Sequence, residues 1–547
     1  MGHMTEGPQQ QKVAGWFLRN WEWVLALVCG VGVFFLYRDY GLGWDTAANT
    51  RYGENILDYF LDGMRHPMTP DVEGAEFYGP LFDLPSAIVH RLLGKDPLAL
   101  RGLLSAWFAV ATLPAVAKIA RRIGGERLAV FAVLALILTP QFFGQAFINS
   151  KDIPLACTVA WAVLAICRLV EDKSASWPNM LGLALAFGAV LSARIGAVFI
   201  FGFLGAALLW RLLPHMVDRQ WRELLPPRPG VLAFKVAVAL LVGWFLVVAA
   251  WPYAHQNPLR NPYEALRVAA SYPKIYTVLF NGELIAGNVL PPSYLPTYVL
   301  LNYSPVLLGL VLLGGGSALL ACVRRWRERP TAGLFLVLCW IAAPLAGVLI
   351  LRPNIYDGAR HFIFLLPALA ILAGRGTELV TGFLSQFGGR VTEAAGLVTM
   401  AVLALLPLVR WHPYQYAYLN FLAGERATLH RKFETDYWKT SYKAAAEWLN
   451  DQQELSPRPF RVVVAASSMS SPCLLHFLDP RMDVQLTMEN LDDQHLPVDV
   501  DYYVGTTRFR LDENFNRTPV VWEERRDGVL FCVIRSARQA AAATSAP

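Results

Sequence analysis

The sequence predicts an all-α polytopic membrane bundle of about eleven transmembrane helices, with a small C-terminal α/β domain outside the membrane. Three observations lead there. Of 547 residues, 55% are hydrophobic and 16% charged, with a mean hydropathy of +0.37, too apolar for a soluble chain of this length. About eleven runs approach the roughly 20 apolar residues that a bilayer core requires. Basic residues recur in every second loop between those runs. The net charge of +6 is small and spread along the chain, which argues against a nucleic-acid partner.

The runs lie at 20–38, 98–120, 127–143, 152–171, 179–193, 195–213, 231–252, 297–323, 331–351, 361–379 and 394–411. Residues 1–19 precede them, with a tag-like Met1-Gly-His-Met4 start and no evident cleavable signal. Lys12 and Arg19 place this N-terminus on the cytoplasmic side. The same side takes Arg121, Arg122 and Arg127, then Arg168 and Lys173. It also takes Arg211, Arg219, Arg222 and Arg228, then Arg324, Arg325, Arg327 and Arg329, and finally Arg375 and Arg390. The alternation holds only if Ser192-Ala-Arg194 is a turn between two short spans. Loops 39–97, 144–152, 253–296 and 352–360, and everything after 411, then face outward.

The first outer loop predicts a helix at 49–61 and an amphipathic, membrane-surface segment at 86–93. The 253–296 loop predicts a helix at 263–272 followed by Pro- and Tyr-rich sequence. Long outer loops over a bundle suit a covered site. After Trp411 the composition becomes polar. A helix is expected at 438–449, with strands at 460–466, 484–488 and 502–506 and a hairpin at 520–533 turning at Asp527-Gly528. The division is thus 20–411 for the membrane domain, 412–536 for the α/β domain and 537–547 for an Ala/Ser-rich disordered tail. Five of seven Cys sit in apolar runs, and no spacing suggests zinc. Cys473 and Cys532 fall in the polar part.

Chemistry-bearing residues gather on the outer side. Asp45 follows the first span and a Gly-rich turn. It is either the N-cap of the next helix or a base for a lipid-borne substrate. In Asn149-Ser150-Lys151-Asp152-Ile-Pro154, Ser150 is the expected cap, and Asp152 suits the helix dipole. Lys151 gains nothing from that dipole, so a phosphate is a reason for it. Arg194 is a charge between apolar spans, either snorkelling or functional. Arg360 and His361 open the tenth span, where two cations oppose the dipole and a bound phosphate resolves the conflict. Asp45 with Asp152 are candidate ligands for Mg²⁺ or Mn²⁺. One carboxylate among cations suits transfer of a group off a lipid phosphate. Asp499-Val-Asp501 is expected to be surface rather than a nucleotide-sugar motif. The Tyr-rich 412–418 segment is expected to form an interfacial belt or to stack on sugar rings.

Trp44-Asp45, Asn149-Ser-Lys-Asp152-Ile-Pro154, Tyr356-Asp-Gly-Ala-Arg360-His361 and Asp436-Tyr-Trp438-Lys-Thr-Ser-Tyr442 together resemble the GT-C glycosyltransferases. Within them the chain is similar to the polyprenyl-phosphate-dependent group of protein O-mannosyltransferases and lipid A aminoarabinose transferases. The resemblance covers most of the membrane part. It implies an inverting transfer of sugar from a polyprenyl-phosphate donor to a hydroxyl of a glycan, lipid or protein. Asp45 is then the base, and Lys151, Arg194, Arg360 and His361 are the donor-phosphate candidates. The setting implied is a bacterial inner membrane. Many relatives carry two adjacent acids in the first loop, whereas Thr46 follows Asp45 here, which bears on metal use. The rivals are a flippase of lipid-linked sugars, which needs no base, a membrane scaffold without catalysis, and a ligase using a pyrophosphate-linked donor.

Overall fold

The computed structural model describes residues 20–65, 74–171, 176–217, 229–270, 274–326, 330–495 and 499–537. The 1–19 segment, the tail beyond Ala537, and Lys173, Arg219, Arg222, Arg228, Arg327 and Arg329 lie outside the described residues. Among those described, seven helices are long and apolar enough to cross a membrane, and Trp177–Ala193 and Ile195–Trp210 are shorter apolar helices. Two of the seven are broken. Pro97–Ile137 breaks at Gly125, where φ is 85°. Leu366–Arg410 breaks at Gly388 and Gly389. There the chain reverses, because Leu384 abuts Gly396, two positions a continuous helix would hold about 18 Å apart. Divided at these glycines, and with the shorter pair, the helices correspond to the eleven apolar runs.

Local chemistry explains the ends. The run at 297–323 is two helices, Tyr294–Leu301 and Pro305–Arg324. Ser304 accepts from the Leu307 amide and Pro305 follows at the first helical position, so the chain restarts there. Arg194 is extended (φ −151°, ψ 120°), ending one helix before a short 3₁₀ turn begins the next. Gly314 and Gly376 face the carbonyls of Leu372 and Leu310 so closely that a Cβ at either would strike backbone. Small residues let these helices approach where burial of apolar surface offers no drive.

The outer segments are ordered. Helices Thr46–Leu61, Asp83–Leu93 and Arg260–Ala270 follow the expected positions. An unexpected antiparallel hairpin, β1 (Thr277–Phe280) with β2 (Glu283–Ala286), turns at Asn281-Gly282, both at positive φ. The C-terminal sheet holds β3 (Arg461–Ala465), β4 (Asp483–Thr487), β5 (Tyr502–Thr506), β6 (Val520–Arg526) and β7 (Val529–Ser536). Its order is β4-β3-β5-β7-β6. The first three strands run parallel, and β7 is antiparallel to both neighbours. Tyr442–Glu454 packs on it. Cys473 and Cys532 are buried, unpaired thiols.

Three expectations change. Tyr414, Tyr416 and Tyr418 are buried, not an interfacial belt, because their rings fill space between the helices and β7. Asp501 is not surface. It is 2% exposed and accepts from Arg458 and the Arg461 amide, pinning the approach to β3. Residues 411–438 share one hydrophobic core with the membrane helices, so 412 marks a change in composition rather than in packing.

That interlock rests on glycines. A Cβ on Gly41 would collide with the Thr440 carbonyl, whereas one on Gly32 would meet nothing. Gly41→Ala should therefore lower the thermal unfolding midpoint in detergent, by the equivalent of about 1–3 kcal/mol. Gly32→Ala should leave it unchanged. Equal midpoints for the two variants would contradict the contact.

Candidate active site

Asp45 occupies the N-cap position of Thr46–Leu61, yet its side chain makes no capping bond. The carboxylate instead faces Lys151, with Nζ 3.7 Å from Oδ2. The Lys151 ammonium also sits 3.9 Å from the centre of the Tyr78 ring. The two side chains keep 15% and 18% exposure, so solvent reaches them. The sequence left Lys151 without a protein partner; the structure supplies both of these.

Beside this pair lies a second network, buried except at Arg194. Asp152, 1% exposed, pairs with Arg194 at 2.6 Å and with Arg360 at 4.0 Å. Its Oδ2 also accepts from Asn149 at 2.8 Å. Arg360, 4% exposed, pairs with Asp357 at 2.9 Å. Asp357 in turn accepts from Arg508 at 2.8 Å. Arg101 and Asp83 form a separate buried pair at 2.5 Å. Asn149, not Ser150, accepts from the Asp152 amide, and Ser150 accepts from Arg101. The carboxamide reaches that amide, while the hydroxyl is turned toward the guanidinium.

Arg360 does not oppose a helix dipole as expected. It opens a 3₁₀ segment, Arg360–Leu365, and the α-helix starts only at Leu366. Its nearest anion is the Asp357 carboxylate. His361 packs edge-on to Tyr356, with centroids 4.7 Å apart, within electrostatic reach of Arg360 and Arg194. Tyr356 continues to Tyr276 at 4.6 Å, and Tyr276 to Trp44 at 6.3 Å. Three outer segments thereby share one aromatic wall beside the charges.

Asp45 and Asp152 fit a resident divalent ion poorly. Each already faces a cation, and among the described residues no three His, Cys, Asp or Glu gather as ligands. Three contributors were missed in the sequence. Asp357 sits within a quoted motif but seemed a turn residue, and it does have a left-handed φ of 58°. Arg508 follows the end of a predicted strand, a weak signal. Glu434 is buried with an Oε2 that has no hydrogen-bond partner among the described residues.

Residues 78–251, which hold Tyr78, Lys151, Asp152 and Arg194, match the family model described as dolichyl-phosphate-mannose-protein mannosyltransferase. The chain is similar in structure to the archaeal oligosaccharyltransferase AglB from Archaeoglobus fulgidus, in complex with an inhibitory peptide and a dolichol-phosphate. The identity is 13% and the TM-score 0.51, over 90% of this chain and 70% of that one. The fold is that of the GT-C glycosyltransferases. ArnT from Cupriavidus metallidurans in the apo state is 16% identical, with a TM-score of 0.49 over 96% of this chain and 99% of that one. The same protein bound to undecaprenyl phosphate gives 17% and 0.46, over 96% and 98%. No curated protein matches the chain.

Within this GT-C fold, Glu434 titrates unusually. Burial first, and the Asp357 charge second, push its carboxyl up to about 8. The folded chain then holds that proton more firmly than the unfolded chain, so stability falls as pH rises from the ordinary glutamate range to about 8. Burial also raises Asp436, to about 6, so its contribution ends lower. Glu434→Gln should flatten the loss of stability between pH 6 and 8 in denaturant titrations. Parallel curves for variant and wild type would refute the assignment.

Proposed function

We propose that the protein is an inverting glycosyltransferase that moves a sugar from a polyprenyl-phosphate donor to an acceptor hydroxyl on the outer face of a bacterial inner membrane. One observation carries this reading. A carboxylate that solvent reaches, Asp45, stands in a cluster in which cations outnumber anions and of which Arg360, Arg508, Asp152 and Asp357 are buried. Lys151, Arg194, Arg360 and Arg508 stand against Asp45, Asp152 and Asp357. Burial and the Asp357 charge hold the neighbouring Glu434 carboxyl toward its neutral form, so it adds little to the anions. An unpaired buried charge is costly, and a bound phosphate balances it. The Nε atoms of Arg194 and Arg360 are buried donors with no hydrogen-bond partner among the described residues. Phosphate oxygens satisfy such donors.

The chemistry is a single displacement. Asp45 takes the proton of the acceptor hydroxyl while that oxygen bonds to the anomeric carbon. The bond from that carbon to the donor phosphate breaks, and the electrons leave on the phosphate. Lys151, Arg194 and Arg360 stabilise its growing charge, with His361 beside them. Inversion follows from attack opposite the leaving group. The Trp44–Tyr276–Tyr356 wall suits stacking on sugar rings. The family match over 78–251 and the dolichol-phosphate in the AglB complex support a polyprenyl-phosphate donor. The alternating basic loops support an outward-facing site and a cytoplasmic N-terminus. A flippase would need the cations but not an accessible base.

Asp45→Asn should reduce sugar transfer about 10²–10⁴-fold while binding of undecaprenyl phosphate persists. Lys151→Ala should weaken that binding. Transfer from labelled donor and lipid binding, measured on the same purified protein, separate these effects. Undiminished transfer by Asp45→Asn would end the base assignment.

A further inference from the structure

Arg360 is held by neighbours in sequence and, in part, by residues from the far end of the chain. Its guanidinium lies between the rings of Tyr356 and Trp438, 4.9 and 4.6 Å from their centroids. Its carboxylate partner, Asp357, is fully buried and bonded to Arg508 through the other oxygen. Arg508 leaves the carboxyl end of β5 on a turn in which Phe509 and Arg510 both have φ of 57°. It also donates to the Tyr437 carbonyl. Thr506, the last residue of β5, donates to Asp436 at 2.9 Å, and Tyr416 donates to the same carboxylate at 2.7 Å. Trp438 donates to Gln145 at 3.1 Å, and its carbonyl accepts from the Trp44 amide at 3.1 Å. The chain after the last membrane helix therefore reaches Arg360 twice, directly through Trp438 and, from the end of β5, through Arg508 and Asp357.

We infer that Arg508 and Trp438 are positioning residues through which the C-terminal domain sets the orientation of Arg360 toward the donor phosphate. This rests on the donor assignment above. Arg508 fixes the carboxylate that holds one edge of Arg360, and Trp438 covers one face. The Nε of Arg360 is buried and has no hydrogen-bond partner among the described residues, so it is the donor left for a phosphate oxygen. Lys in place of Arg508 would have to serve the Tyr437 carbonyl and Asp357 from one nitrogen, where Arg508 uses two held in a planar fork. The domain that the composition marks as separate is thus part of the donor site.

The test titrates the full-length protein in detergent with undecaprenyl phosphate, and with undecaprenol, which lacks the phosphate. Melting curves without lipid check the fold. Arg508→Ala and Trp438→Leu should each weaken undecaprenyl phosphate binding at least about tenfold, with undecaprenol binding unchanged. Trp438→Phe keeps a ring over Arg360 and should stay within about threefold of wild type. A merely structural role would lower the affinity for both lipids and gain nothing from Phe. If Arg508→Ala fails to fold, the Trp438 pair decides. Folded variants that bind undecaprenyl phosphate as wild type does would overturn the inference alone. A wild-type protein that does not bind undecaprenyl phosphate would overturn the donor assignment and this inference with it.

Discussion

The structure depends on a run of alternating charges, Arg508, Asp357, Arg360, Asp152 and Arg194, of which the first four are buried and Arg194 lies at the accessible edge. Each ion is expensive to bury alone, and removal of any partner leaves its neighbour uncompensated. The chain of pairs therefore locks four segments that are distant in sequence: the turn after β5, the 352–361 loop, the mouth of Asp152–Glu171 and the break at Arg194. Neutral groups extend the lock. Asn149 donates to both Gln145 and Asp152, and Gln145 accepts from Trp438. Asp45 and Lys151 sit at the open end of this assembly, the part that solvent touches. Burial thus falls from the pairs around Asp357 to the reachable carboxylate of Asp45.

Close backbone approach makes the lock possible. Gly41 passes beneath Thr440, Gly79 meets the Ser192 carbonyl, and Gly144 meets the Tyr416 amide. At each point a side chain would separate segments whose polar groups must touch. Asp436 gathers Tyr416, Ser441 and Thr506 on one carboxylate, which ties the end of β5 to the last membrane helix. The parallel strands β3 and β5 both send their carboxyl-end loops into this region, the end at which open α/β sheets commonly place their sites. The sheet is therefore tied to the membrane domain rather than an appendage.

Much was legible along the chain. Apolar runs and alternating basic loops marked the spans, and turn residues marked the strands. The hairpin at Asn281-Gly282 also had its signal, but it was passed over within a Pro- and Tyr-rich stretch. The candidate cations were visible because a charge beside an apolar span stands out against its neighbours. Asp357 did not stand out, since Asp-Gly is also an ordinary turn. Arg508 and Glu434 were hidden in polar sequence, where a charge costs nothing until folding buries it. The aromatic segment after Trp411 misled because the same residues suit a membrane interface and a packed core.

By itself, the sequence determined which runs are apolar enough to cross a bilayer and which charges are anomalous. These are properties of local composition, because transfer of each run into lipid is decided over about 20 consecutive residues. Tertiary structure alone decided which anomalous charges meet. Ion pairs form through space, so Asp45 found Lys151 rather than its own helix amides, and Arg360 found Asp357 rather than a helix dipole.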